Sequence, residues 1–146
     1  MEVKTGVSDE WIDAFGVNVK AVPAYNVNKF SPYGVPFHPS QMGGVGFVFK
    51  VGEMIFYHTG DTDFIPEMDG LYVDLMLIPV GGTYFMIYEE AHAIEKKNNP
   101  KLAFPMHFGS IIRNRVDAQK FSDLASSRVK ILEKGDVDYL FISETQ

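Results

Sequence analysis

The order of apolar segments in this 146-residue chain predicts a layered α/β domain built on a mixed β-sheet. Three observations carry that expectation. Before residue 72 the pattern reads strand, long loop, hairpin. From residue 72 onward it reads strand, helix, strand, helix, strand, strand. Tyr72–Val80 is an almost unbroken apolar run, the mark of a strand covered on both faces with helices outside. The length suits one domain, taken here as residues 1–146.

Each element has a local reason. Val3, Val7, Trp11 and Ile12 suit a strand or an irregular cover. Val17, Val19 and Ala21 alternate with Asn18, Lys20 and Val22, a period of two that ends at Pro23 and predicts a half-buried strand with a turn at residues 23–26. Residues 26–43 follow as a long loop, and the stretch from Pro23 to Pro39 holds four prolines. Loops of this length are uncommon unless they cover a site or an interface. Tyr25, Phe30, Tyr33 and Phe37 fit a packed lid or an interface better than a free linker. Val45–Val51 and Glu53–His58 read as strands joined tightly at Gly52. Pro66 and Gly70 keep Phe64–Leu71 to a short turn or helical segment.

Tyr88–Lys97 is expected to be helical. Ala91, Ile94 and Tyr88 form its inner side, while Glu89, Glu90, Glu95, Lys96 and Lys97 form the wet one. Asn98-Asn99-Pro100 stops it. Lys101–Met106 is a short strand ending at His107. Asp117–Ala125 is an amphipathic helix with Asp117 as N-cap and with Phe121, Leu124 and Ala125 inward. Val129–Leu132 and Tyr139–Ile142 are terminal strands joined through Gly135.

Composition narrows the classes. The chain has no cysteine, which excludes disulfides and thiolate metal sites. It has no apolar run long enough to span a membrane, and its first residues do not resemble a signal peptide. A cytoplasmic protein is the simplest expectation. The formal net charge is −6 with scattered basic residues, which argues against a nucleic-acid partner. Gly43-Gly44-Val45-Gly46 precedes a strand and so lacks the strand-to-helix context of a phosphate loop.

The stretch Ile55–Phe64 carries the most chemistry: an apolar strand, then His58, Gly60, Asp61 and Asp63. Asp61 and His107 each follow the end of a strand. If those strands are parallel neighbours, both side chains meet at one edge of the sheet, where carboxylate oxygen and imidazole nitrogen are ordinary ligands for zinc, iron or manganese. The plain alternatives are an Asp-rich turn and a histidine closing a strand. His38 in the long loop is a candidate third ligand. His58 is a candidate for orienting Asp61, and Asp63 for the same task or for capping the next segment. Gly81 and Gly82 reach the same edge, where their backbone can approach a ligand closely. His92 lies on a helix flank. Asp74 opens a buried strand and needs a partner. Arg113 and Arg115 suit acidic partners, a substrate anion or plain solvent. There is no serine nucleophile elbow and no His-Glu-x-x-His, and Asp61 with His107 alone falls short of the three protein ligands of a catalytic zinc.

Taken together, Tyr57–Asp63, Leu77–Tyr84 and Phe104–Gly109 resemble the metallo-beta-lactamase-fold hydrolases, and more closely their metal-dependent hydrolase branch. Ala21–Asn26 and Phe37-His38-Pro39 fit the same branch, so the resemblance spans about residues 17–132. It implies an αββα sandwich and one or two divalent metals, zinc first, with manganese or iron as alternatives. An activated water would attack an ester, amide or phosphodiester bond of a small-molecule substrate. Asp61 would bridge two metals, His107 would be the last histidine ligand, and Gly81 and Gly82 would line the site. The family's His-x-His-x-Asp-His motif has no counterpart here, and Asn26 stands where another histidine ligand is common. The resemblance therefore implies a carboxyl-terminal half of the fold. Such a half is a fragment, a domain that has lost catalysis and persists as a structural or protein-binding module, or one part of a composite site. Each case leaves a sheet face in need of cover, and a homodimer is the expected oligomer.

Overall fold

Seven strands form one sheet in their order along the chain: β1 (Ile12–Ala14), β2 (Val17–Pro23), β3 (Val45–Val51), β4 (Met54–His58), β5 (Leu75–Pro79), β6 (Leu102–Met106) and β7 (Arg128–Val129). The computed structural model describes residues 10–108, 115–133 and 135–136. β1 to β4 pair antiparallel, and β4 to β7 pair parallel. The sheet is mixed because the first half is joined by two tight hairpins and the long loop between β2 and β3, while the second half runs through crossovers. α1 (Tyr88–Asn98) carries the chain from β5 to β6, and α2 (Arg115–Leu124) carries it from β6 to β7. The two helices touch each other and so share one face. This is an α/β sandwich, and it corresponds to one sheet-and-helix portion of an αββα unit.

The strand register sorts side chains between two faces. Val48, Tyr57, Met76 and Ala103 form one cross-strand row, and all are buried. They pack with Ala91, Ile94, Ala118 and Phe121 from the helices. The opposite face carries two parallel rows, Phe47–His58–Leu77–Phe104 and Phe49–Phe56–Leu75–Leu102. Phe49 and Phe56 stack at 5.1 Å between ring centroids. No described helix covers this face, and Phe47 remains 45% exposed. The apolar run of the central strand predicts cover on both faces with helices outside. Among the described residues they lie on one face only, and the second face is apolar without a helix.

Other expectations shift in detail. β5 starts at Leu75 because Tyr72 is exposed and pairing begins beside Asp74, whose backbone N–H donates to Ile55 and whose carbonyl accepts from Lys101 and Leu102. Phe64–Leu71 reduces to a 3-10 turn at Pro66–Met68. Glu95 is not on the wet face. It is fully buried, and its carboxylate accepts from the backbone N–H of Ser126 and Ser127 and from the Ser127 hydroxyl. It thereby ties α1 to the chain leaving α2. Asp117 lies inside the first turn of α2 and is not its N-cap. Leu124 is 46% exposed, since the inner stripe of α2 runs through Ala118 and Phe121. The strand expected at Val129–Leu132 is the two-residue β7 at Arg128–Val129, and Phe30 and Tyr33 of the long loop are exposed. Val3, Val7, Gly109 and Tyr139–Ile142 lie outside the described residues.

Asp74 finds the partners its position demands. Its carboxylate accepts from Ile55 N–H at 2.9 Å and pairs with Lys101 at 2.7 Å. Burial pushes its pKa up, but the Lys101 ammonium and the Ile55 N–H outweigh that and hold it below the ordinary value of 3.8. A lowered folded pKa adds stability above the unfolded value, and that contribution is lost as pH falls through the folded one. Asp74→Asn is expected to cost about 1 kcal/mol at pH 7. The difference from the parent chain should shrink below about pH 4, as urea unfolding at pH 7 and pH 3 will check.

Candidate metal centre

The turn after β4 is built to present Asp61. Thr59 N–H donates to Leu77 O at 3.1 Å, so the chain stays in register with β5 past the end of β4. Gly60 takes φ +71, a left-handed conformation natural for glycine. Gly46 on β3 is equally required, because a Cβ there would fall 2.5 Å from Thr59 O and 2.6 Å from His58 O. Thr62 and Asp63 then turn inward and are fully buried, while Asp61 is left at the sheet edge with its side chain 44% exposed.

Asp63 organises the long loop. Its Oδ2 accepts from Val27 N–H at 2.8 Å and Asn28 N–H at 2.9 Å, and its Oδ1 from Asn26 Nδ2 at 3.1 Å. Lys29 Nζ stands 3.4 Å from Oδ1 and pairs with Glu90 at 2.8 Å. Burial and the Lys29, Asn28 and Ile87 N–H contacts act oppositely on Glu90, and the contacts prevail, holding its pKa low. Asn26 relays the order onward. Its Nδ2 also donates to Tyr84 O at 2.8 Å, and its Oδ1 accepts from His38 N–H at 2.7 Å. Asn26 therefore holds the loop, with both ends of its amide used inside the protein. The sequence marked Asn26 only as a residue in a histidine's place; its tethering role depends on the loop folding back.

His38 arrives beside Asp61 by this route. Its Nδ1 faces two acceptors, Asn26 Oδ1 and Tyr84 O, each at 3.1 Å, so Nδ1 carries the proton. In the neutral ring Nε2 is then a bare lone pair, and it lies 3.8 Å from Asp61 Oδ2. His107 follows β6 with φ +58, an unusual conformation for a residue with a side chain. Its Nε2 lies 2.8 Å from Asp61 Oδ1, and its ring packs on Phe85 at 4.9 Å. His58 has the opposite tautomer, since its Nδ1 accepts from Gly60 N–H at 3.2 Å. Its Nε2 is the protonated nitrogen, so it suits hydrogen bonding and not metal ligation. Burial, together with His107, holds its pKa below the usual imidazole range, against smaller pulls from its own backbone and Asp61.

The structure thus brings His38, Asp61 and His107 into one chain of contacts, with His58 on the same cavity wall. That cavity has a volume of about 520 Å³. Donor type and the His38 tautomer fit a divalent ion, but among the described residues no three His, Asp or Glu side chains converge closely enough to hold one alone. Gly81 and Gly82 do not line the cavity. Their loop is pinned by Gly82 N–H donating to Met86 O, and a Cβ at Gly82 would fall 2.8 Å from the Ile87 side chain. His92 pairs with Glu95 at 3.3 Å on α1, and Arg115 pairs with Glu133 at 2.8 Å. Arg113 lies outside the described residues.

Residues 5–107 match the family model described as the Beta-lactamase superfamily domain. Strands β1 to β6, the strand-end carboxylate and the strand-end histidine stand within or at the edge of that match, and the chain belongs to this superfamily. It is similar, more particularly, to proteins named metal-dependent hydrolases. One from Caldivirga maquilingensis is 34% identical over 136 residues, covering 86% of this chain and 60% of the relative. Another, from Thermofilum pendens, is 31% identical, covering 95% of this chain and 64% of the relative. The chain therefore spans less than two thirds of these relatives' length. Among solved structures, the metallo hydrolase Igni18 of Ignicoccus hospitalis superposes with a TM-score of 0.68 at 24% identity, covering 97% of this chain and 61% of that one. The isothiocyanate hydrolase from Delia radicum gut bacteria superposes with a TM-score of 0.64 at 17% identity, covering 88% and 56%. At these identities the superpositions speak to the fold. No described helix is long and apolar enough to cross a membrane.

Asp63→Ala should release residues 26–38 and cost about 3 kcal/mol, because it removes a buried carboxylate and strands several N–H donors. Limited proteolysis will show new cleavage in this loop, and thermal unfolding will register the loss. Asn26→Ala should open the same loop with a smaller loss of stability.

Proposed function

We propose that Asp61 and His107, together with His38, contribute ligands to a divalent metal centre of a hydrolase. Zinc is the first choice, with manganese or iron as alternatives. His38 supports this most directly. Its Nδ1 is spent on two internal acceptors, while its Nε2 faces Asp61 Oδ2 across 3.8 Å, beyond hydrogen-bond distance, which leaves both atoms free to act as ligands to one cation. The names of the relatives point the same way. A bound divalent ion there would lower the pKa of water and polarise the bond to be cleaved, in an ester, amide or phosphodiester. Asp61 orients the His107 imidazole, Asn26 and Tyr84 orient that of His38, and His58 presents an N–H donor to the same cavity. On this reading the chain corresponds to the carboxyl-terminal part of the family fold. Further ligands of the His-x-His-x-Asp-His type would come from another segment or another chain, and Asp63 would serve the centre only from behind, through the loop.

The apolar second face favours an alternative reading. Phe47, Phe49, Phe56 and Phe104 suit contact with another sheet, and a catalytically inactive module pairing with a second copy through this face would bury them.

Zinc titrated calorimetrically into the chain should bind, and Asp61→Ala or His107→Ala should each weaken binding about tenfold or more. Binding that ignores both substitutions, or no binding of zinc, manganese or iron, would sink the metal reading. Light scattering addresses the alternative: a particle of twice the monomer mass that Phe47→Glu returns to monomer supports pairing through the sheet face, and a monomeric parent chain counts against it.

A further inference from the structure

We infer that the cavity beside Asp61 takes a neutral acyl compound, an ester or lactone with a short apolar chain, in preference to a phosphodiester anion. The inference rests on the metal-centre reading for which bond is cut, but not for what the cavity binds. Its lining combines two chemistries. Asp61 and the imidazoles of His38, His58 and His107 are the charged and imidazole groups. Ala24, Phe37, Pro39, Met42 and Val45 supply apolar surface. At about 520 Å³ the space falls within the range of small-molecule sites, which are apolar with a few convergent polar groups.

Charge separates the two substrate classes. Among the described residues no lysine or arginine lines the cavity, and the carboxylate there is Asp61. Lys29, the cation of the covering loop, is committed to Glu90 and Asp63. Phosphodiester anions are ordinarily held by Arg or Lys forks or by clustered N–H groups. A metal would supply positive charge beside Asp61 for either substrate, so the apolar lining decides the preference. Ala24, Phe37, Pro39, Met42 and Val45 suit a hydrocarbon chain, and among the described residues the lining gives a second phosphate ester oxygen no cationic partner.

The apolar lining is also held in place before any ligand arrives. Phe37 packs edge-on against Tyr84 with ring centroids 4.7 Å apart. Ala24 N–H donates to Gly44 O at 2.9 Å, and the Asn26 N–H donates to His38 O at 2.8 Å. A ligand would therefore not have to order the loop as it binds. Met42, 79% exposed at the rim, is the adaptable element, an unbranched thioether able to follow chains of different length. The reaction would add water across the acyl C–O bond. Hydroxyl oxygen bonds to the carbonyl carbon, the C–O bond to the alcohol breaks, and the departing oxygen takes a proton, giving a carboxylic acid and an alcohol.

Methionine-methyl NMR of the metal-free chain tests the binding step without any turnover. Hexanamide, a neutral carbonyl probe, should shift the Met42 methyl signal at least about tenfold more tightly than dibutyl phosphate, which carries similar chains on an anion. Met42→Lys should weaken hexanamide binding about fivefold or more, with the circular dichroism spectrum unchanged. Phe37→Leu, which keeps an apolar side chain, should weaken it less than Met42→Lys does. Equal affinity for dibutyl phosphate, no binding of hexanamide, or indifference to Met42→Lys would each overturn the inference. The zinc titration is scored separately, so loss of the metal reading leaves this result legible, and the reverse holds too.

Discussion

The buried carboxylate of Asp63 is the constraint on which the candidate site depends. A charge taken fully out of water must be met by hydrogen-bond donors, and here three of them come from consecutive residues of one loop, Asn26, Val27 and Asn28. Meeting that demand folds residues 26–38 over the edge of the sheet. The Asn26 amide then spends its oxygen on His38 and its nitrogen on Asp63 and Tyr84. The loop also pairs with itself, through Asn26 N–H to His38 O, Phe37 N–H to Lys29 O and Ser31 N–H to Val35 O. The carboxylate beneath it fastens that folded loop to the edge of the sheet.

The sheet shows a second kind of dependence. Its helix-facing row is closed by α1 and α2, and Glu95 locks the end of α2 to α1 from a position with no solvent exposure. Its other face is apolar, and no described helix lies upon it. The antiparallel first half leaves Phe47 and Phe49 on that side. The parallel second half leaves Leu77 and Phe104 there. This asymmetry is what an αββα architecture requires of each of its sheets: one face for helices, one for the other sheet. His58 lies on that apolar face and also lines the cavity, so the site and the face adjoin.

The shared position of Asp61 and His107 was legible from strand ends alone. Each follows an apolar segment, and parallel pairing of β4, β5 and β6 brings those strand ends together. The tautomers were not legible, because a histidine's proton is placed by whatever its two nitrogens touch. His38 and His58 have the same side chain and come out opposite: one faces carbonyl oxygens and the other a backbone N–H. Glu95 misled for a related reason. Helical spacing beside two lysines suggested solvent, and the donors that bury it come from residues about 30 positions later.

By itself the sequence determined the periodic elements, the mixed sheet and the two strand-end groups. Those features follow from local apolar spacing, glycine and proline, which act over a few residues. Only the tertiary structure decided that both helices share one face, that Asn26 is a tether, and that His38 meets Asp61 while Gly81 and Gly82 stand off. Each of these rests on a polar or steric demand satisfied across tens of residues, and such a demand leaves no period in the chain to read.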